Sequence, residues 1–226
     1  MKSVLLAAAI AVTSTASHAA TFDAVESYYT FGSGVSSNQE RLLADKAQEI
    51  GFPGLETISF ILFDISTFSA PATPYRVSLQ LEQDSGLAGT LIPAAADREL
   101  TVGAYALDGI WDPVNGNLAD ARYGTNGSAA FDLVNVGANG IYSWDVTRLF
   151  RQWVNTPTAE TAIVITGLFG NTNTDNRNTY ASFYAANSIA GTGPQLLVAQ
   201  VPLPAGLPLI LAALGILGFL RTRRRS

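Results

Sequence analysis

The chain has 226 residues, 48% of them hydrophobic, enough for one domain with a sizeable core. All eighteen carboxylates lie between Asp23 and Asp175, while Lys2, Arg221, Arg223, Arg224 and Arg225 stand near the two ends, so residues 20–200 hold eighteen acidic against eight basic side chains, a formal −10. Such a surface excludes nucleic acid as a partner, and the lack of any cysteine excludes disulfides, thiolate nucleophiles and sulfur-ligated metals.

In chain order, Lys2, the apolar run Val4 to Val12 and the small-x-small triplet Ser17-His18-Ala19 read as a signal peptide cut after Ala19. A first transmembrane helix is the poorer reading, because the apolar run is short and is followed by Thr13, Ser14 and Thr15. His18 is the only histidine and leaves with the leader. The mature domain, residues 20–200, therefore has no means to build a Ser-His-Asp triad, a Cys-His pair or a histidine-ligated zinc site. Lys46 is its only lysine, which disfavours a Ser-Lys dyad.

From Phe22 onward the pattern is one of strands. Ile58 to Asp64 is a mostly apolar run that fits a buried strand, and Tyr75 to Glu82 alternates, with Tyr75, Val77, Leu79 and Leu81 on one face. Further strands are expected at Leu100–Leu107, Ala129–Val134, Ile141–Trp144, Thr161–Leu168, Thr179–Ala185 and Gln195–Val201, separated by Asn/Gly/Pro-rich turns. One segment differs: Val146, Leu149, Phe150 and Trp153 share a helical face, with Asp145 placed to cap and Asn155-Thr156-Pro157 to stop it. The fold expected is all-β, a jelly-roll-like antiparallel β-sandwich with one short helix whose Trp153 plugs the core.

The last twenty-six residues form a third unit, 201–226. Val201-Pro202-Leu203-Pro204-Ala205 precedes an apolar run from Gly206 to Leu220 and then the four arginines. Fifteen helical residues reach only ~22 Å, against ~30 Å of bilayer hydrocarbon, so the span is marginal even when counted from Leu203. The arginines resist crossing and act as a stop-transfer element, which leaves the domain outside the cytoplasm.

Motif, apolar helix and basic end together resemble the VPLPA variant of the PEP-CTERM sorting signal of Gram-negative bacteria. Leu203-Pro204-Ala205-Gly206 lacks the threonine of a sortase signal. The resemblance implies export, transient inner-membrane anchoring, cutting by an exosortase-like membrane transpeptidase, and delivery to the cell surface or extracellular matrix; a permanent anchor is the alternative. The domain is similar to DNRLRE-type domains in three places: Ser59 to Ser66, Trp144 to Trp153, and Tyr180 to Tyr184 followed by Pro194 to Val198. It departs from them at Thr57-Ile58, where an arginine is usual, and near Tyr180, where an acid is missing. That resemblance implies a jelly roll, with carbohydrate binding among some relatives.

Sugar binding uses aromatic faces beside hydrogen-bonding groups. Trp111, Tyr105, Tyr123 and Tyr184 lie close to Asn/Asp-rich loops and are the expected ligand contacts, with core packing as the alternative for Trp111. A structural calcium ion takes oxygen ligands, and Asp108, Asp112, Asn115, Asn117 and Asp120 are close enough for one loop. Asn171, Asn173 and Asp175 have calcium-loop spacing but lack the closing glutamate, and all these residues are also ordinary turn formers. A glycosidase needs two carboxylates ~5–10 Å apart, and nothing in the sequence marks such a pair. The expectation is a non-enzymatic surface protein that associates with extracellular polysaccharide. The alternatives are a polysaccharide-active hydrolase or lyase and a purely structural surface protein.

Overall fold

The computed structural model describes residues 19–31, 34–36, 40–45, 57–84, 92–93, 99–107, 129–137, 139–156, 160–167 and 179–201. Within them the chain is mostly antiparallel β with one short helix, and one strand organises the rest. Strand β1 (Ala19–Phe31) pairs over its first residues with β12 (Gln195–Gln200), from Ala19 opposite Ala199 to Asp23 opposite Gln195. Its later residues pair instead with β4 (Thr57–Phe63), and the register slips by one between Ala24 and Glu26. Val25 is the extra residue of this bulge and is 49% exposed. A bulge bends its strand and sharpens the local twist, which lets one strand turn the corner between two leaves of a sheet.

The first leaf continues from β12 to β5 (Tyr75–Glu82) and β9 (Ile141–Asp145). The second runs from β4 to β10 (Ala162–Gly167), β7 (Leu100–Ala106) and β8 (Asp132–Val136), and β2 (Gly34–Ser36) adds to the far end of β1. The nine-stranded sheet curls until it nearly closes, because its end strands β8 and β9 meet. There the Asp145 N–H donates to Asp132 Oδ2 at 2.8 Å, and the Gly137 N–H donates to the Tyr142 hydroxyl at 3.0 Å.

Both leaves present apolar side chains to one core. A single inward row crosses the first leaf as Phe22, Leu196, Leu79 and Trp144, each the register partner of the next. It faces Ile61, Phe63, Ile163, Ile165, Val102 and Ala104 of the second leaf. Trp144 is fully buried, and its indole N–H donates to the Val102 carbonyl at 2.9 Å, which meets the cost of burying a polar donor. The alternation expected for Tyr75–Glu82 holds, with Tyr75, Val77, Leu79 and Leu81 all buried.

Helix α1 (Thr147–Asn155) buries Leu149, Phe150 and Trp153, and Val146 before it is buried too, so the apolar face read from the sequence is the packed one. Its start differs by one residue from expectation. Asp145 belongs to β9 and Val146 occupies the cap position, yet Asp145 Oδ1 still accepts the Thr147 N–H at 2.9 Å. The helix ends at Asn155, where the Thr156 N–H returns to the Trp153 carbonyl, and Pro157 lies outside the described residues. Phe150 packs edge-on against Phe68 with centroids 4.9 Å apart, which closes this end of the core.

A three-stranded sheet, β3 (Arg41–Asp45), β11 (Thr179–Tyr184) and β6 (Ile92–Pro93), supplies Leu42, Ala44, Ala181 and Phe183 to the same core. A serine side chain joins it to the second leaf. Ser59 Oγ accepts the Leu43 N–H at 2.8 Å and donates to the Leu43 carbonyl at 2.7 Å, satisfying both backbone groups of a buried residue at once. It is joined to β5 by a bridge between Gln83 and Phe183, and beside it the Arg41 guanidinium meets the buried Asp84 carboxylate at 2.5 Å.

Replacing Ser59 by alanine leaves two buried backbone groups without partners. At ~1–3 kcal/mol for each unsatisfied group, Ser59→Ala should lower unfolding stability by about 2–6 kcal/mol. Urea denaturation of the mature domain checks this, and a loss below the cost of one neutral hydrogen bond would contradict the joint.

Candidate functional site

The outward face of the first leaf is described across all four of its strands. Register partners in antiparallel strands share a face. The row next to Phe22–Leu196–Leu79–Trp144 therefore lies on the opposite side, as Asp23, Gln195, Gln80 and Ser143. Each step spans one strand separation, ~4.8 Å, so the row is about 14 Å wide. Asp23 and Ser143 are exposed, Gln195 and Gln80 half-buried, and Gln195 Nε2 donates to Asp23 Oδ1 at 2.8 Å. A parallel row follows as Thr21, Leu197, Ser78 and Asp145, and Arg76 stands opposite Ala199 one step further on. Beyond the polar row, Glu82 is paired with Ile141.

This face carries amides, hydroxyls and a few charges. Amides and hydroxyls both donate and accept, so they suit a ligand whose own groups do the same. The Thr192 N–H donates to Glu82 Oε2 at 2.8 Å, which ties the turn between β11 and β12 to the edge of the face. At the other edge, hydrogen bonds from the Thr147 side chain and backbone N–H hold the Asp145 carboxyl below the usual carboxylate range, with Arg76 and Arg151 adding to the effect. Near the start of β1 and the end of β12, a groove of about 420 Å³ is lined by Phe22, Phe68, Pro71 and Val198 together with Thr67, Ser69 and Gln200. That volume falls within the range of small-ligand sites.

Of the four aromatic residues expected to contact sugar, Tyr105 and Tyr184 are among the described residues. Tyr105 is 6% exposed and packs with Ile58, Phe60 and Val164 in a second apolar cluster on the outer side of the second leaf. Its ring lies over Gly103, where a Cβ would stand 2.6 Å from Tyr105 Cε2. Tyr105 is thus a core residue with no open face for stacking. Tyr184 is half-buried, and a Cβ on Gly191 would overlap its ring, so the β11–β12 turn covers part of it. Trp111 and Tyr123 lie outside the described residues, as do Asp108, Asp112, Asn115, Asn117, Asp120, Asn171, Asn173 and Asp175. Among the described residues no three carboxylates converge as metal ligands would.

The two ends of the chain are described only where they enter the fold. Ala19 begins β1, and Val201 follows β12; Pro202, Leu203, Pro204, Ala205 and the arginines at 221, 223, 224 and 225 lie outside the described residues. No helix among the described residues is long and apolar enough to cross a membrane.

No protein-family model matches the chain, and no curated protein matches it either.

The polar row was missed from the sequence because its members are distant in the chain. The available signal was the alternation of Tyr75–Glu82, which sends Arg76, Ser78, Gln80 and Glu82 outward as surely as it buries their neighbours. The lowered Asp145 pKa makes a pH prediction. A depressed carboxylate stabilises the fold above its unfolded pKa, and that contribution is lost as pH falls through the folded value. The mature domain should lose stability as pH drops below ~4, and Asp145→Asn should flatten that part of the profile. Thermal melts at stepped pH check this; identical acid slopes for the two proteins would count against it.

Proposed function

We propose that this chain is an exported surface or matrix protein that associates with extracellular polysaccharide and has no catalytic role. The polar row Asp23–Gln195–Gln80–Ser143 carries the binding part of the reading. Sugar hydroxyls donate and accept like the amides they meet, and a chain of sugars lying across the strands would find a hydrogen-bonding group at each strand. The formal −10 of the domain disfavours polyanionic polymers and favours neutral or amino-sugar polysaccharide. The curled sheet around one core is compatible with a jelly-roll-like sandwich of the kind that the DNRLRE resemblance implies.

The address rests on the two ends of the sequence. A signal peptide over residues 1–19 takes the chain out, the tail 201–226 halts it in the inner membrane, and an exosortase-like transpeptidase releases it. The motif, apolar run and arginine cluster, in that order, support this reading.

Two experiments test the proposal. A glycan array probed with the mature domain should show binding to a neutral or amino-sugar polymer, and Gln80→Ala with Gln195→Ala should weaken it at least tenfold while the melting temperature stays within a few degrees. Binding to no polysaccharide, the producer's own matrix included, would sink the reading. For the tail, replacing Pro202 and Pro204 by alanine should leave a membrane-held precursor of full length, and normal release of that variant would refute the sorting signal.

A further inference from the structure

Val201 belongs at once to the sorting motif and to the fold. Its N–H donates to the Pro74 carbonyl at 2.8 Å, and the residue before it, Gln200, is the register partner of Tyr75. Strand β12 is paired along both edges, with β1 from Gln195 to Ala199 and with β5 from Gln195 to Gln200. Leu196 and Val198 are buried in the core, so the strand is also held by its side chains. There is no spacer between the last strand and the motif. The end of the domain that the chain leaves is itself firmly built: Arg151 Nη2 donates to the Tyr75 carbonyl at 3.0 Å with its guanidinium over the Tyr75 ring, and Phe68 packs on Tyr75 and Phe150.

A peptidase takes its substrate as an extended segment and needs free backbone on both sides of the bond that it cuts. On the N-terminal side of this motif Gln195 to Ala199 are paired on both edges and Gln200 on the β5 edge, and the motif's first residue, Val201, is held by its N–H. Freeing that flank means opening a two-sided central strand, and such strands open rarely compared with loops and termini.

We propose that the folded domain is a built-in stop for the processing of its own tail. The Val201–Pro74 bond and the double pairing of β12 withhold the N-terminal flank of the motif, so the membrane peptidase engages the chain only from Val201 onward. Two consequences follow from the geometry. The cut lies C-terminal to Val201, and the rate of release is held down by the fold. The inference rests on the reading of the tail as a sorting signal, and it adds that Val201 is a positioning residue of that signal, acting through its backbone.

The experiment uses the full chain in a host with its processing system. The mature C-terminus is read by intact-mass spectrometry of the released protein, and precursor decay is followed by pulse-chase. A Gly-Ser-Gly-Ser insertion between Gln200 and Val201 keeps the motif but detaches it from Pro74. The proposal expects the unaltered protein to end at Val201 or later, and the insertion to speed release several-fold with the cut at the same bond of the motif. A mature form ending before Val201, or release at an unchanged or slower rate in the insertion variant, would overturn it. The variant with alanine at Pro202 and Pro204 separates the two failures. If release needs those prolines and ignores the insertion, the stop is wrong and the sorting signal stands. If release needs neither, the sorting reading itself fails.

Discussion

The fold depends on one strand being shared. Strand β1 serves β12 with its first five residues and β4 with its last, and the slip at Val25 is what lets it do both. Without that bend the two leaves would form one continuous flat sheet, and the inward row of Phe22, Leu196, Leu79 and Trp144 would have nothing opposite it. With it, the rows from both leaves meet in one core, and the indole N–H of Trp144 reaches across to the Val102 carbonyl. The same pairing fixes the ends of the domain. Ala19 lies opposite Ala199, so the chain enters and leaves the fold side by side.

The two outer faces of the curled sheet have different fates. On the second leaf, Ile58, Phe60, Tyr105 and Val164 are buried, and Tyr28 packs against them. The Tyr28 hydroxyl is accordingly harder to ionise than usual, first because of burial and then because of the nearby Glu26. On the first leaf the outer face is mostly polar, with Leu197 and Ile141 among its apolar members, and is open at Asp23, Ser143 and Asp145. The asymmetry matters for function, since only a face that water reaches can exchange its water for a ligand's hydroxyls. Burial on one side supports the fold, and exposure on the other leaves hydrogen-bonding groups at strand-sized intervals.

Much of this was legible in the sequence, and the failures have physical reasons. Alternation over Tyr75–Glu82 and the helical face of Val146, Leu149, Phe150 and Trp153 were both read correctly, because each is a local period set by burial on one side. The strand pattern from Phe22 onward did not yield the bounds of β1, because its period breaks: Ala20, Phe22 and Ala24 keep one phase, and the extra residue at Val25 shifts the rest. Strands β2, β3 and β6 are two to five residues long and carry too little pattern to find. Tyr105 was misplaced for a different reason. It does point away from the main core, as its position beside Val102 and Ala104 requires, but that side of the sheet is covered as well. The polar row was invisible because register, which brings Asp23, Gln195, Gln80 and Ser143 together, is a property of the folded sheet.

The fold runs without a break into the first residue of the tail. Hydrogen exchange on the intact precursor tests it most directly, read at single amides. The Val201 N–H should be protected, and its protection should fall together with that of the β12 amides when the domain is destabilised. A Val201 amide that exchanges at the rate of an unstructured peptide, while β12 stays protected, would contradict it.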